Sequence, residues 1–138
     1  MSRLLIDTNI VIDLLAKRHG FYEEAAELFS RADKKELVLT ISALTFSNTN
    51  YILTKLKSAK EARVILRKFK VLVEILSLDE KVTELALSND LFTDFEDALQ
   101  YYSAIASQVD VIITRNKKDF KASKIPVLTA KEFLAKEM

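Results

Sequence analysis

Leu4-Leu5-Ile6-Asp7-Thr8-Asn9-Ile10-Val11-Ile12 sets the pattern that the rest of the chain repeats. Three apolar residues run straight into an aspartate, a polar pair follows, and a second apolar run begins. This describes a short buried strand that ends abruptly in a carboxylate, with Thr8 or Asn9 available to cap a helix that continues through Val11 to Ala16. A carboxylate at the C-terminal end of a buried strand stands on the edge where open α/β sheets keep their ligands. An Asx turn is the competing account of Asp7. The two readings separate on whether other acids converge on that edge.

Outward from this strand the same alternation repeats. Phe21, Ala25, Leu28 and Phe29 recur at helical spacing and predict an amphipathic helix to about Ala32. Residues Leu37 to Ile41 form a second buried strand, and Ser42 caps a helix carrying Leu44, Asn48, Tyr51, Ile52 and Leu56. Ser58 starts another helix with Ala62, Ile65, Leu66 and Phe69 as its stripe, and Val71 to Leu76 form a third strand. Asp79 opens a short helix through Leu87. Thr93 heads a longer one, with Glu96 completing a capping box and Phe95, Ala98, Leu99, Tyr102, Ile105 and Ala106 facing the core. Val109 to Thr114 make a fourth strand, Arg115 to Lys124 a basic loop, Ile125 to Leu128 a fifth strand, and Thr129 caps the last helix. Short apolar strands alternating with amphipathic helices predict a parallel sheet covered on both faces. Right-handed crossovers bring every strand's C-terminal end to one edge. The expected fold is a three-layer α/β/α sandwich around a mostly parallel five-stranded sheet, with residues 1–138 as a single domain.

Composition narrows the function. With 138 residues, 49% of them apolar and 30% charged, the chain has the balance of a soluble globular domain. No apolar run approaches the roughly 20 residues that span a bilayer, and no signal peptide is visible. The absence of cysteine excludes disulfides and thiolate metal sites, and fits a reducing, cytoplasmic setting. A net charge of +1 says nothing about an anionic partner, so local patches must decide. One glycine, Gly20, cannot build a phosphate-cradling loop. If phosphates are handled, side chains and metal ions handle them.

The candidates for that chemistry are acids. Asp7 ends the first strand and Thr114 the fourth; Asp94 and Asp97 share one face of a helix's first turn, and Asp119 follows the fourth strand in a loop able to fold back over the edge. Carboxylates without cysteine or a usable histidine form an oxygen-rich site suited to Mg²⁺ or Mn²⁺. Such ions activate water and stabilise the leaving oxygen of a phosphodiester. Plainer readings stand beside these: Asp94 and Asp97 as caps, Asp119 as a solvated loop acid, Asp13 facing solvent or paired with Lys17, and His19 as a turn residue. Basic residues cluster from Lys55 to Lys70, where the plain reading is a solvated helix face, and again from Arg115 to Lys124. The second cluster surrounds Asp119 and so is the better placed to hold a phosphate backbone.

Three motifs, in order and at the expected spacing, resemble those of PIN-domain nucleases: Leu4 to Asn9, Asp94-Phe95-Glu96-Asp97-Ala98-Leu99, and Ile112-Ile113-Thr114-Arg115-Asn116-Lys117-Lys118-Asp119-Phe120. The resemblance implies a single-stranded RNA endonuclease that uses Mg²⁺ or Mn²⁺. Small stand-alone members are commonly VapC-type toxins paired with an antitoxin protein, and they usually form homodimers. Carried over by motif, Asp7, Asp97 and Asp119 fall on the metal-binding acids, and Asp94 lies one turn from Asp97 and shares its role. Thr8, Thr114 and Asn116 match polar positions that support the acids or the substrate, with Thr114 in reach of Asp7. Arg115, Lys117 and Lys118 are then the residues that neutralise the RNA backbone. One departure matters: the family's second acid is usually a Glu, and counting six from Ser42 reaches Asn48. An amide ligates through its carbonyl oxygen but brings no charge. The pattern resembles the branch of PIN domains with Asn at that position. The competing function is a non-catalytic PIN-like module that binds RNA or protein with weakened metal binding. A phospho-acceptor domain would need a Lys at the end of the last strand, where Leu128 and Thr129 stand.

Overall fold

In the computed structural model, which describes residues 1–136, β1 (Arg3–Ile6) is the central strand of a five-stranded sheet. The order of strands is β3-β2-β1-β4-β5, with β2 at Val38–Ser42, β3 at Glu74–Leu76, β4 at Val111–Ile113 and β5 at Val127–Leu128. Every pairing is parallel, so the sheet is wholly rather than mostly parallel. Period-two alternation along β1 splits the core into two layers. Leu4 and Ile6 pack with Leu39, Ile41 and Ile113 beneath α1 (Thr8–Leu15), α2 (Tyr22–Asp33) and α7 (Ala130–Lys136), and Phe69 of α4 (Ala59–Lys70) joins them. Leu5 and Ile112 face the other way, against α5 (Glu80–Ser88) and α6 (Phe95–Ala106). The result is the expected three-layer α/β/α sandwich.

Connections leave β1 toward β2 on one side, while β4 lies on its other side, so the C-terminal ends of β1 and β4 frame the sheet's switch point. The register pairs Ile6 with Ile113, and one step further Asp7 meets Thr114. Among the described residues no helix is long and apolar enough to cross a membrane.

Local differences from the sequence reading have physical causes. Helix α1 begins at Thr8, and its cap is Asp7 itself rather than Thr8 or Asn9: the Asp7 carboxylate accepts from the Thr8 N–H. Helix α6 is capped by Asp94, not Thr93, in keeping with the stronger capping tendency of Asp. Its ends, Phe95 and Ile105, are exposed at 45% and 43%, while Gln100 and Ser103 are buried. Strand β3 is shortened because Val71 belongs to the end of α4. On α3 (Ala43–Leu56) the buried side is Thr45, Thr49 and Leu53, not the more apolar stripe through Tyr51 and Leu56. Thr45 is held inside by hydroxyl hydrogen bonds to Ser42 and Thr8, at 3.3 and 3.0 Å. Gly20, in the turn after α1, takes φ +88, a left-handed conformation that costs glycine nothing.

Candidate metal centre

Asp7 is nine-tenths buried at the switch point, and its carboxylate is held from four directions. Oδ1 accepts from the Thr8 N–H at 2.8 Å and from Gln100 Nε2 at 3.1 Å. Oδ2 accepts from the Thr114 hydroxyl at 2.7 Å and from Asn9 Nδ2 at 3.4 Å. Thr114 in turn accepts from the Asn116 N–H at 3.0 Å, so the start of the following loop is tied to the same carboxylate. Thr114 reaches Asp7 because β1 and β4 are neighbours in register. Gln100 reaches it because α6 crosses above that edge.

Asp97 sits in the first turn of α6, half-buried, and faces the same edge. Burial and the negative charges of Asp94, Asp7, Asp119 and Glu96 push its carboxyl up to about 7. Burial contributes most, and the four acids around it add the rest. Asp94, Asp7 and Asp119 thus all act on Asp97, and Glu96 joins them. Asp97 opens onto two adjoining clefts. One, of about 670 Å³, is lined by Asp7, Thr8, Asn9, Asn48, Glu96, Asp97 and Gln100, with Arg18 and Tyr51. The smaller, of about 240 Å³, is lined by Asp94, Asp97, Lys118 and Asp119. Asp119 rides on a 3₁₀ turn (Lys117–Phe120) that is anchored by Phe120, buried against the ring of Phe92 at 6.1 Å. Asp94 faces this second cleft and spends one oxygen on its cap, accepting the Asp97 N–H at 3.1 Å.

The chemistry of the donors fits a hard divalent cation. The atoms on offer are oxygens, and the acids around Asp97 repel one another. Two amide oxygens beside Asp7, Asn9 Oδ1 and Gln100 Oε1, are buried without a hydrogen-bond partner. Among the described residues no group of three or more acidic or histidine side chains is placed to hold a metal ion together.

A PIN-domain family model matches residues 3–118. The chain belongs to the PIN-domain family. Solved structures agree on the fold of this PIN domain. VapBC2 from Rickettsia felis, bound to a DNA fragment from its promoter, superposes with a TM-score of 0.69 at 23% identity, covering 91% of this chain and 96% of that one. A toxin–antitoxin complex from Klebsiella pneumoniae gives 0.68 at 25% identity, covering 92% and 97%. VapC20 from Mycobacterium tuberculosis, a sarcin-ricin loop cleaving toxin, gives 0.63 at 14% identity over 79% and 86%. No curated protein matches the chain.

The basic residues of this PIN domain are differently employed. Arg115 is not free for a phosphate: its Nε and Nη2 grip the buried Asp13 at 2.9 and 3.1 Å, and its guanidinium lies 4.0 Å over the ring of Phe21. Asp13 is accordingly not a solvent-facing partner of Lys17; it is 1% exposed, and Arg18 approaches it at 4.0 Å. Lys117 pairs with Glu132 at 3.0 Å on the surface. Lys118 borders the cleft of Asp94, Asp97 and Asp119, and among the described residues it makes no ion pair. Glu96 and Gln100 are the site residues that sequence reasoning missed. The capping-box pattern gave Glu96 another role, and a lone Gln in an amphipathic helix carries no signal until the sheet edge beneath it is known.

Proposed function

We propose that this PIN domain is a metal-dependent endoribonuclease that cleaves single-stranded RNA, and that it is the toxin of a toxin–antitoxin pair. The observation that carries the proposal is the set of acids at the end of β1: Asp97 opens onto the cleft of Asp7 and Glu96 on one side and onto that of Asp94 and Asp119 on the other, and burial first, then those charges, raise its carboxyl to about 7. Charges concentrated this way favour a cation in the gap. Asp7, Asp97 and Asp119 would hold Mg²⁺ or Mn²⁺, with Asp94 on the side of Asp119 and Asn48 on the side of Asp7. When bound there, the ion supplies the positive charge that activates water and offsets charge on the phosphodiester. The protein's own part is orientation. Thr114, Gln100 and the Thr8 N–H fix Asp7, while Phe120 holds the turn of Asp119 over the edge. Lys118, and Lys117 behind it, then face the RNA backbone; Arg115 acts through the loop instead, by tying it to Asp13.

A second reading, a non-catalytic RNA- or protein-binding module, draws on Asn48, which gives up a charge in the cleft of Asp7. Glu96 opens onto that same cleft and returns one. This favours the enzyme. As for partners, the family setting supports an antitoxin protein and a homodimer. A cysteine-free chain suits the cytoplasm.

Incubating the purified protein with end-labelled single-stranded RNA, with Mn²⁺ or with EDTA, tests the reading. Cleavage confined to the Mn²⁺ arm supports it; RNA retained on the protein yet uncut in Mn²⁺ favours the binding module.

A further inference from the structure

The more apolar stripe of α3 lies outside the core. Tyr51 is 62% exposed and, with Asn48, Ile52 and Arg18, lines the cleft that also exposes Asp7, Glu96 and Asp97. One turn further along α3, Lys55 sets its Nζ 4.3 Å from the centre of the Tyr51 ring. Arg18, 43% exposed, borders the same cleft and reaches toward Asp13. A large ring left in water, flanked by two cations and continuous with a set of carboxylates, has the makings of a single-strand groove: cations track the backbone and an aromatic face takes a base. A second copy of the chain fits less well, because the cleft beside the ring holds Ile12 and Ile52 but is otherwise lined by polar and charged side chains rather than a continuous apolar patch.

We propose that Tyr51 is a stacking platform for one unpaired nucleobase of the RNA strand whose phosphodiester lies at the Asp7–Asp97 edge, with Lys55 and Arg18 neutralising the flanking phosphates. This rests on the endoribonuclease reading above and names its base subsite. A duplex, whose bases are already stacked, cannot use the platform.

The chain has no tryptophan, so Tyr51→Trp introduces a single indole while keeping an aromatic face. Titration of that variant, without metal, with a single-stranded oligoadenylate should quench the indole, and an adenine–uracil duplex of the same length should not. Binding of the oligoadenylate to Tyr51→Ala should weaken by roughly 5- to 150-fold, whereas Tyr51→Phe should stay within about twofold of wild type. Tyr51→Leu, which keeps apolar bulk without a π face, should lose as much as Tyr51→Ala. The proposal is overturned if Tyr51→Ala and Tyr51→Leu bind as wild type does, or if the duplex quenches equally. It is also overturned if the indole is quenched with rising protein concentration alone while light scattering reports a dimer. Quenching without any cleavage in Mn²⁺ would remove the nuclease and leave the platform. Cleavage with an unchanged KM in Tyr51→Ala would remove the platform and leave the nuclease.

Discussion

Asp7 does two jobs that one substitution separates. As the cap of α1 it accepts a backbone N–H, and Asn performs that task nearly as well as Asp. Asp7→Asn should therefore unfold within about 1 kcal/mol of wild type, whereas Asp7→Ala, losing the cap and stranding Thr114 and Gln100, should fall by about 2 kcal/mol or more; thermal denaturation followed by circular dichroism reads both. Asp97 gives a pH signature. Its carboxyl titrates near 3.8 when unfolded and near 7 when folded, so the folded chain binds the extra proton between those values. Its contribution to stability is full below the lower value and is lost as pH rises through the upper one. Metal-free wild type should accordingly lose stability from about pH 4 to pH 7 relative to Asp97→Asn, whose side chain does not titrate. Mn²⁺ binding should release a proton near neutrality, measurable by calorimetry in buffers of different ionisation enthalpy. At this scale the sequence was partly legible. Asp7 and Thr114 could be matched because both end neighbouring strands. Asp13 could not, since it lies inside a helix and its partner Arg115 in a loop, and no strand register ties the two positions together before folding.

Elements carry the next consequences. Helix α6 projects Asp97 from its first turn and Gln100 from its second, and Asp94 sets where that first turn begins. Asp94→Ser keeps a capping oxygen but removes a charge beside Asp97, so stability should hold while the Asp97 carboxyl titrates lower. Asp94→Ala should cost about 1 kcal/mol, and chemical denaturation of the two variants separates cap from charge. The loop after β4 is fastened to α1 by Arg115 and Asp13, one partner buried and the other partly exposed. Removing Arg115 strands an acid inside, and Arg115→Ala should cost about 3 kcal/mol by denaturant melts, with strong coupling to Asp13→Ala in a double-mutant cycle. Strand positions and the caps Ser42, Asp79 and Thr129 were legible because local chemistry dictates them. The inward side of α3 was not. Thr45, whose hydroxyl hydrogen-bonds with Ser42 and Thr8, helps turn the side of Thr49 and Leu53 inward in place of Tyr51 and Leu56, and periodicity of hydrophobicity cannot see such bonds.

Across the whole molecule, a wholly parallel sheet gathers acids from three places in the sequence onto one edge, and lysines from the loop after β4 border it. Net charge is nearly balanced, so RNA affinity should depend on a few local contacts. Lys118→Ala should lower the slope of log affinity against log salt by about 0.7, the value for one phosphate contact on a single strand; fluorescence anisotropy at several salt concentrations measures it. We read residues 1–138 as one folding unit, which predicts a single unfolding transition that Mn²⁺ shifts upward. A metal centre at the Asp7 edge that hydrolyses RNA is best tested by cleavage of end-labelled single-stranded RNA in Mn²⁺ by wild type and by Asp7→Asn under identical conditions. Wild type should cleave rapidly, and the folded variant should lose at least about a hundredfold. Equal cleavage by both would contradict that assignment.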